Sequence, residues 1–113
     1  MAKYLLTATL EKPGAAGIER EGGTRRREAI TTLVKSLGGK LDAFYFMFGD
    51  ADAVLIADLP SNAAAASLSL AVAATGIANV STTVLVSPEE LDEAVKMKPD
   101  YRPPGEVAQL ASS

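Results

Sequence analysis

Charge is absent from a long central stretch of this chain. Residues 59–88 contain no Asp, Glu, Lys or Arg, although 22% of the whole sequence is charged. A membrane-spanning helix needs about 20 predominantly apolar residues. The most apolar part, residues 63–78, is shorter and is interrupted by two serines, a threonine and a glycine. The start of the chain also lacks a basic segment followed by an apolar one. We therefore expect a cytoplasmic protein with no membrane partner, in which this stretch is buried or lies at a subunit contact.

Several kinds of chemistry are excluded by composition. The 113 residues include no Cys and no His. Disulfides, thiolate catalysis and cysteine-ligated metal centres are therefore impossible, and the commonest general base and haem ligand is missing. The net charge of −3 gives no electrostatic reason to expect a nucleic acid. We expect no cofactor, no metal site and no nucleic-acid partner.

The first part of the chain predicts one strand and one helix. Residues 4–10 are typical of a strand, and residues 15–23, with three glycines, predict a loop with at most one helical turn. A helical face follows, with apolar residues at i, i+3, i+4 and i+7. Thr24 is the expected N-cap and Gly38 the expected end of this helix. The residues on its apolar face are Ile30, Leu33, Val34 and Leu37.

The second part predicts a hairpin, a helix, a strand and a short helix. Residues 41–48 and 53–59 are expected to pair as antiparallel strands. Ser61 is a suitable N-cap for a helix over residues 62–75 that ends at Gly76, and residues 80–86 are β-branched. Ser87 and Glu90 form a capping-box pattern that opens a short helix to about Lys98. Prolines make residues 99–113 an irregular tail.

This order of elements, βαββαβ, predicts an α+β, ferredoxin-like fold. Such a fold has one four-stranded antiparallel sheet with both long helices on one face. The short C-terminal helix completes a domain over residues 1–98, and residues 99–113 follow it as the tail.

The strands, however, are apolar on both faces. In the second strand, strict alternation places three phenylalanines on one face and four other side chains on the opposite face. Two helices cover only one face, so we expect a second copy of the chain to cover the other in a homo-oligomer. The Asn62–Thr75 helix is apolar all round, which favours another subunit contact there. In the second predicted strand, the phenylalanines of one face are Phe44, Phe46 and Phe48, and the side chains of the opposite face are Leu41, Ala43, Tyr45 and Met47.

Several short motifs resemble the GYD family, a group of small, mostly bacterial proteins of unassigned function. The resemblance covers residues 3–90 and includes Gly38-Gly39-Lys40, Phe44-Tyr45, Gly49-x-x-Asp52, Leu59-Pro60 and Gly76. Ala51 stands where the family has its characteristic Tyr. The resemblance implies a dimeric α/β barrel. It also implies relatives of diverse kinds, including cofactor-independent monooxygenases, haem-binding enzymes and lactone isomerases.

Five residues are candidates for a functional site, each with an ordinary alternative. Tyr4 and Tyr45 could orient an aromatic or quinone-like ligand, or be common core or interface tyrosines. Asp52 and Asp58 share a strand face with apolar residues and could act as general bases. Alternatively, they cap a turn or pair with an arginine of residues 25–27. Arg27 could bind an anionic ligand, or lie in solvent or in an intersubunit ion pair, and either Arg26 or Arg27 could reach an acidic partner.

Two functions are consistent with these observations. The first is a non-catalytic binding or scaffold protein with an apolar cavity between sheet and helices. The alternative is a cofactor-independent oxygenase or isomerase that acts on a small aromatic or quinone-like substrate. It would use Tyr45 with Asp52 or Asp58. The absence of His and Cys favours the first function, so we lean against an enzyme.

Overall fold

Four helices and one four-stranded sheet form the part of the chain that the computed structural model describes, residues 1–105. The elements in chain order are β1 (Ala2–Leu10), α1 (Lys12–Glu21), α2 (Gly23–Ser36), β2 (Lys40–Phe46), β3 (Ala53–Leu59), α3 (Asn62–Ala74), β4 (Ala78–Leu85) and α4 (Pro88–Lys96). The ferredoxin-like α+β fold with a C-terminal helix is confirmed.

The sheet has the strand order β2-β3-β1-β4, and all of its pairs are antiparallel. The first strand is therefore central: Leu6 lies opposite Leu55 of β3 and opposite Thr82 of β4. The predicted hairpin of β2 and β3 is also confirmed.

The core lies between the sheet and the helices α2 and α3. Its largest fully buried side chains are those of Tyr4, Leu6, Val34, Leu59 and Leu68. The predicted apolar face of α2 is confirmed, since its other three members pack against this core. They are Ile30, Leu33 and Leu37.

Most helix ends follow the sequence signals. The Ser61 hydroxyl accepts a hydrogen bond from the Ala64 backbone N–H at 3.1 Å, and Ser87 and Glu90 form the predicted capping box. Gly38 has a φ of 81°, in the left-handed region that glycine enters without a steric penalty. The prediction for Thr24 was wrong, because the N-cap of α2 lies two residues earlier, at Gly22, and makes no side-chain hydrogen bond.

The expectation of a loop over residues 15–23 was wrong, since residues 12–21 form the helix α1. The glycines that lower its helix propensity also permit its packing. A Cβ on Gly14 would lie 2.1 Å from the Ile77 backbone oxygen, so only glycine allows this approach. The backbone N–H of Glu11 donates to the same oxygen at 2.8 Å. Tertiary contacts thus override local propensity in α1.

A β-bulge corrects the predicted alternation of the second strand. Leu41 pairs with Ala57 but Ala43 pairs with Ile56, so Asp42 is an extra residue between them. An extra residue inverts the alternation of side chains. Leu41 therefore joins Phe44 in packing against the core instead of lying on the face of Ala43.

The C-terminal part of the described chain has little regular structure. Residues 97–105 contain no helix or strand, and the rest of the predicted tail, residues 106–113, lies outside the described residues. α4 has no buried residue. Within residues 1–105, no helix has both the length and the apolar character that crossing a membrane requires.

Candidate functional site

A cavity of about 80 Å³ lies between the sheet and the helices α1, α2 and α3. We call it the chamber. Its walls are almost entirely apolar, and each of the three helices contributes to them. Side chains that define it are Ile18 of α1, Ile30 of α2, Leu68 and Val72 of α3, and Phe46 and Leu55 of the sheet. An apolar cavity of this kind stays dry when empty and can accept apolar molecules.

Aromatic rings of β2 form one wall of the chamber. Phe44 and Phe46 meet edge to face with their ring centroids 5.2 Å apart, a favourable aromatic arrangement. Gly23 permits this position, because a Cβ there would lie 2.9 Å from the Phe46 ring. The start of α2 and the end of β2 are therefore packed closely at the chamber.

Arg26 is the one charged residue among the described side chains that line the chamber. Its Nε donates to Glu21 Oε1 at 2.5 Å, joining the end of α1 to the start of α2. This hydrogen bond is the main reason that the pKa of Glu21 lies below its usual value. Both side chains are a little under one-third exposed. The chamber thus has an ion pair at one point of an otherwise apolar wall.

Tyr4 lies in the core and not in the chamber wall. Its side chain is 1% exposed, and its hydroxyl donates to Asn62 Oδ1 at 2.5 Å. This arrangement matches the ordinary alternative of a core tyrosine with a satisfied hydroxyl. Its candidate role in ligand binding stays a prediction.

The two candidate aspartates make structural contacts at opposite ends of β3. Asp52 Oδ2 accepts the Leu10 backbone N–H at 2.8 Å, and Asp58 Oδ1 lies 2.9 Å from Lys3 Nζ. The expected ion pair is found for Asp58, although its partner is a lysine, whereas Asp52 binds the end of β1 and does not cap its own turn. Lys3 also pairs with Asp42, which lowers the pKa of Asp42. The role of Asp52 and Asp58 as general bases stays a prediction.

Tyr45 and Arg27 are brought together in shallow grooves beside the edge strand β2. Tyr45 is 67% exposed and lies opposite Val54 on the sheet face away from the helices. Neither residue lines the chamber, and neither do Asp52 and Asp58. The structure therefore does not unite the candidate acid–base residues in one enclosed pocket.

The sheet face away from the helices, which we call the open face, is apolar over its β2–β3 side and polar along β4, where Ser81 and Thr83 lie. Register places Leu5, Ile56 and Ala43 in one row across three strands, with Val54 and Tyr45 in the next. The three aliphatic side chains from β1 and β3 are partly exposed. Lys3, Asp42 and Asp58 form a charged cluster at one end of this face.

Sequence reasoning missed two contributors to the chamber, Ile18 and Ile77. Ile18 belongs to the segment interpreted as a loop, and Ile77 lies in the turn before β4. A signal was available, because Ile18 is the one large aliphatic residue within residues 12–21. Such an isolated side chain in a segment of small and charged residues indicates an anchor to the core.

Comparison with known proteins supports the family suggested by the motifs. The family model described as the GYD domain matches residues 4–95, from β1 to the last turn of α4. No curated protein and no solved structure matches the chain. Since the family match includes every strand and helix of the described fold, the chain belongs to the GYD domain family.

Proposed function

We propose that this protein binds a small apolar molecule in the chamber and does so as a homo-oligomer. The observation that carries the proposal is the apolar cavity of about 80 Å³ beneath three helices. Well-packed interiors contain few voids larger than a water molecule. A water molecule takes about 30 Å³ in the liquid, so the chamber has room for roughly three groups of that size.

The residues of the chamber favour binding over acid–base catalysis. Its wall offers hydrocarbon side chains and one arginine, and the candidate tyrosines and aspartates lie elsewhere. A binding site for a small molecule is typically apolar with a few placed polar groups. This arrangement supports a binding protein in preference to an oxygenase or isomerase.

The open face supports the second part of the proposal, a subunit contact through the sheet. Leu5, Val54 and Ile56 lie side by side on it, and a sheet face of this kind packs well against a second sheet. A two-fold axis would bring the same face of another copy onto it. α3 supplies a further contact surface, because Leu70 is 70% exposed on a helix without charged residues.

Xenon tests the chamber, because it is apolar and binds in dry cavities. In spectra of protein with labelled methyl groups, xenon pressure should shift the signals of Ile18, Ile30 and Val72. The variant Ala53→Val fills the chamber from β3 and should abolish these shifts. Shifts that persist in Ala53→Val, or that are absent from the wild type, would contradict the proposal.

A matched control uses the same substitution four residues further along β3, at Ala57. Ala57 points to the same side of the sheet as Ala53 but is fully buried outside the chamber. Ala57→Val should keep the xenon response and lower the free energy of unfolding by about 1–3 kcal/mol through overpacking. Ala53→Val, which has space for its methyl groups, should not be destabilised.

A further inference from the structure

A second cavity adjoins the chamber at its charged side. This cavity of about 230 Å³, which we call the vestibule, lies against α1. The two spaces share Leu10, Ile18, Arg26 and Ile77 in their walls. Four residues border both, so the two cavities are directly adjacent.

The vestibule differs from the chamber in charge. Arg20, Glu21 and Arg26 all line it, which gives a net charge of +1. The Nε–H of Arg26 is used in the bond to Glu21. A guanidinium has five N–H donors in a planar fork, and its terminal pair suits the two oxygens of a carboxylate. The vestibule therefore favours an anion, while the chamber favours hydrocarbon.

We propose that the two cavities form one site for a small, branched monocarboxylic acid. The hydrocarbon part occupies the chamber, and the carboxylate lies in the vestibule on the terminal nitrogens of Arg26. The positive charge of Arg20 offsets the repulsion between the ligand carboxylate and the carboxylate of Glu21. This inference rests on the proposed binding function and adds the chemical class of the ligand.

The size of the chamber determines which small molecule is suitable for testing this proposal. With room for roughly three water-sized groups, it suits the three carbons of the isopropyl end of 3-methylbutanoate. The matched neutral probe is 3-methylbutanamide, which has the same hydrocarbon and nearly the same shape but no charge. Comparing the two separates recognition of the carboxylate from burial of the hydrocarbon that the probes share.

Binding of both probes is measured by titration while the methyl signals of Ile18, Ile77 and Val72 are followed. We expect the acid to bind roughly tenfold or more tightly than the amide, because a charge-assisted hydrogen bond stabilises it. Arg26→Gln should remove this preference, because it should weaken binding of the acid and leave binding of the amide unchanged. Arg25→Gln removes the same charge from the adjacent, exposed residue and should change the preference less than about twofold.

A second variant keeps the test informative if Arg26→Gln fails to fold. Glu21→Gln removes the competing carboxylate, so it should strengthen binding of the acid and leave binding of the amide unchanged. A weaker or unchanged affinity for the acid in Glu21→Gln would overturn the proposal.

Failure of this inference is distinguishable from failure of the binding function. If acid and amide bind equally, or if the acid shifts signals beside Tyr45 instead of those of the chamber, the ligand class is wrong. The xenon response of the chamber would then still support a neutral apolar ligand. If neither probe binds and xenon has no effect, both proposals are overturned.

Discussion

Gly14 and Gly17 lie three residues apart in α1 but have different surroundings. A Cβ on Gly14 would collide with the Ile77 backbone oxygen, whereas a Cβ on Gly17 would meet no atom within 4 Å. Gly14→Ala should therefore destabilise the protein by about 1–3 kcal/mol. Gly17→Ala should stabilise it by about 0.5–1 kcal/mol, because alanine is the better helix former.

Chemical denaturation of the two variants measures this difference. Each introduces the same methyl group into the same helix, so Gly17→Ala is the control for Gly14→Ala. If the two substitutions change the free energy of unfolding equally, α1 does not approach Ile77 closely.

Lys3 gives a second prediction at the scale of single residues, namely a pH dependence. Hydrogen bonds to Asp42 and then Asp58 raise the pKa of Lys3, and the bond to Lys3 lowers the pKa of Asp42. A carboxyl group with a lowered pKa stabilises the fold above its unfolded pKa, about 3.9. A lysine with a raised pKa stabilises it below about 10.4.

The wild type should therefore be more stable than Lys3→Met between about pH 4 and pH 10. This difference in the free energy of unfolding should decrease as Asp42 is protonated in acid and as Lys3 is deprotonated in base. Unfolding free energies across this range provide the measurement, and Lys35→Met, at an exposed position of α2, is the control. An advantage that is the same at pH 2 and pH 7 would exclude the ion pairs as its cause.

At the scale of elements, helices with the same type of cap differ in what the cap stabilises. Ser61 caps α3, which is anchored by the buried Leu68, whereas Ser87 caps α4, which has no buried residue. Ser61→Ala should lower the free energy of unfolding by about 1 kcal/mol. Ser87→Ala should instead fray α4 and leave the main unfolding transition unchanged.

Amide exchange of α4 and thermal unfolding of the whole protein separate these two effects. A lower melting temperature for Ser87→Ala would show that α4 packs on the fold, for example in an oligomer. Faster exchange confined to residues 88–96 is the result expected for an independent helix.

Most elements could be predicted from the sequence because their signals are local. The helical spacing of α2, the serine caps of α3 and α4 and the β-branched residues of β4 all indicated the right structure. α1 and the bulge at Asp42 could not be predicted in this way, because each depends on contacts with distant residues, Ile77 and β3.

The candidate site was less predictable for the same reason. An apolar cavity between sheet and helices was expected, but its walls require α1 in place. Of the tyrosines and aspartates singled out by their chemistry, Tyr4 lies in the core and Tyr45 on the open face. Asp58 lies in an ion pair, and Asp52 binds a backbone N–H. Arg26 was recognised as one of two arginines able to reach an acidic partner, and that partner is Glu21.

At the scale of the whole molecule, the open face gives a prediction about assembly. If a second copy covers it, a charge at its centre should prevent association, because a buried unpaired charge is costly. Ile56→Lys should therefore convert the homo-oligomer to a monomer in native mass spectrometry. The same substitution at Thr32, exposed on α2, should leave the subunit number unchanged.

A monomeric wild type would contradict this assembly, and so would an Ile56→Lys variant with the wild-type subunit number. If only α3 holds the copies together, Leu70→Lys would dissociate them while Ile56→Lys would not. The two substitutions thus identify which surface forms the contact.

The central place of β1 also bears on how the chain is made. β1 is synthesised first but lies between β3 and β4, the last strands to leave the ribosome. At about 5–20 residues per second, the 75 or so residues that separate β1 from the end of β4 take roughly 4–15 s to add. Until then the apolar residues of β1 lack at least one of their two neighbouring strands. During this interval the exposed apolar side chains and unpaired edge of β1 favour aggregation of the nascent chain.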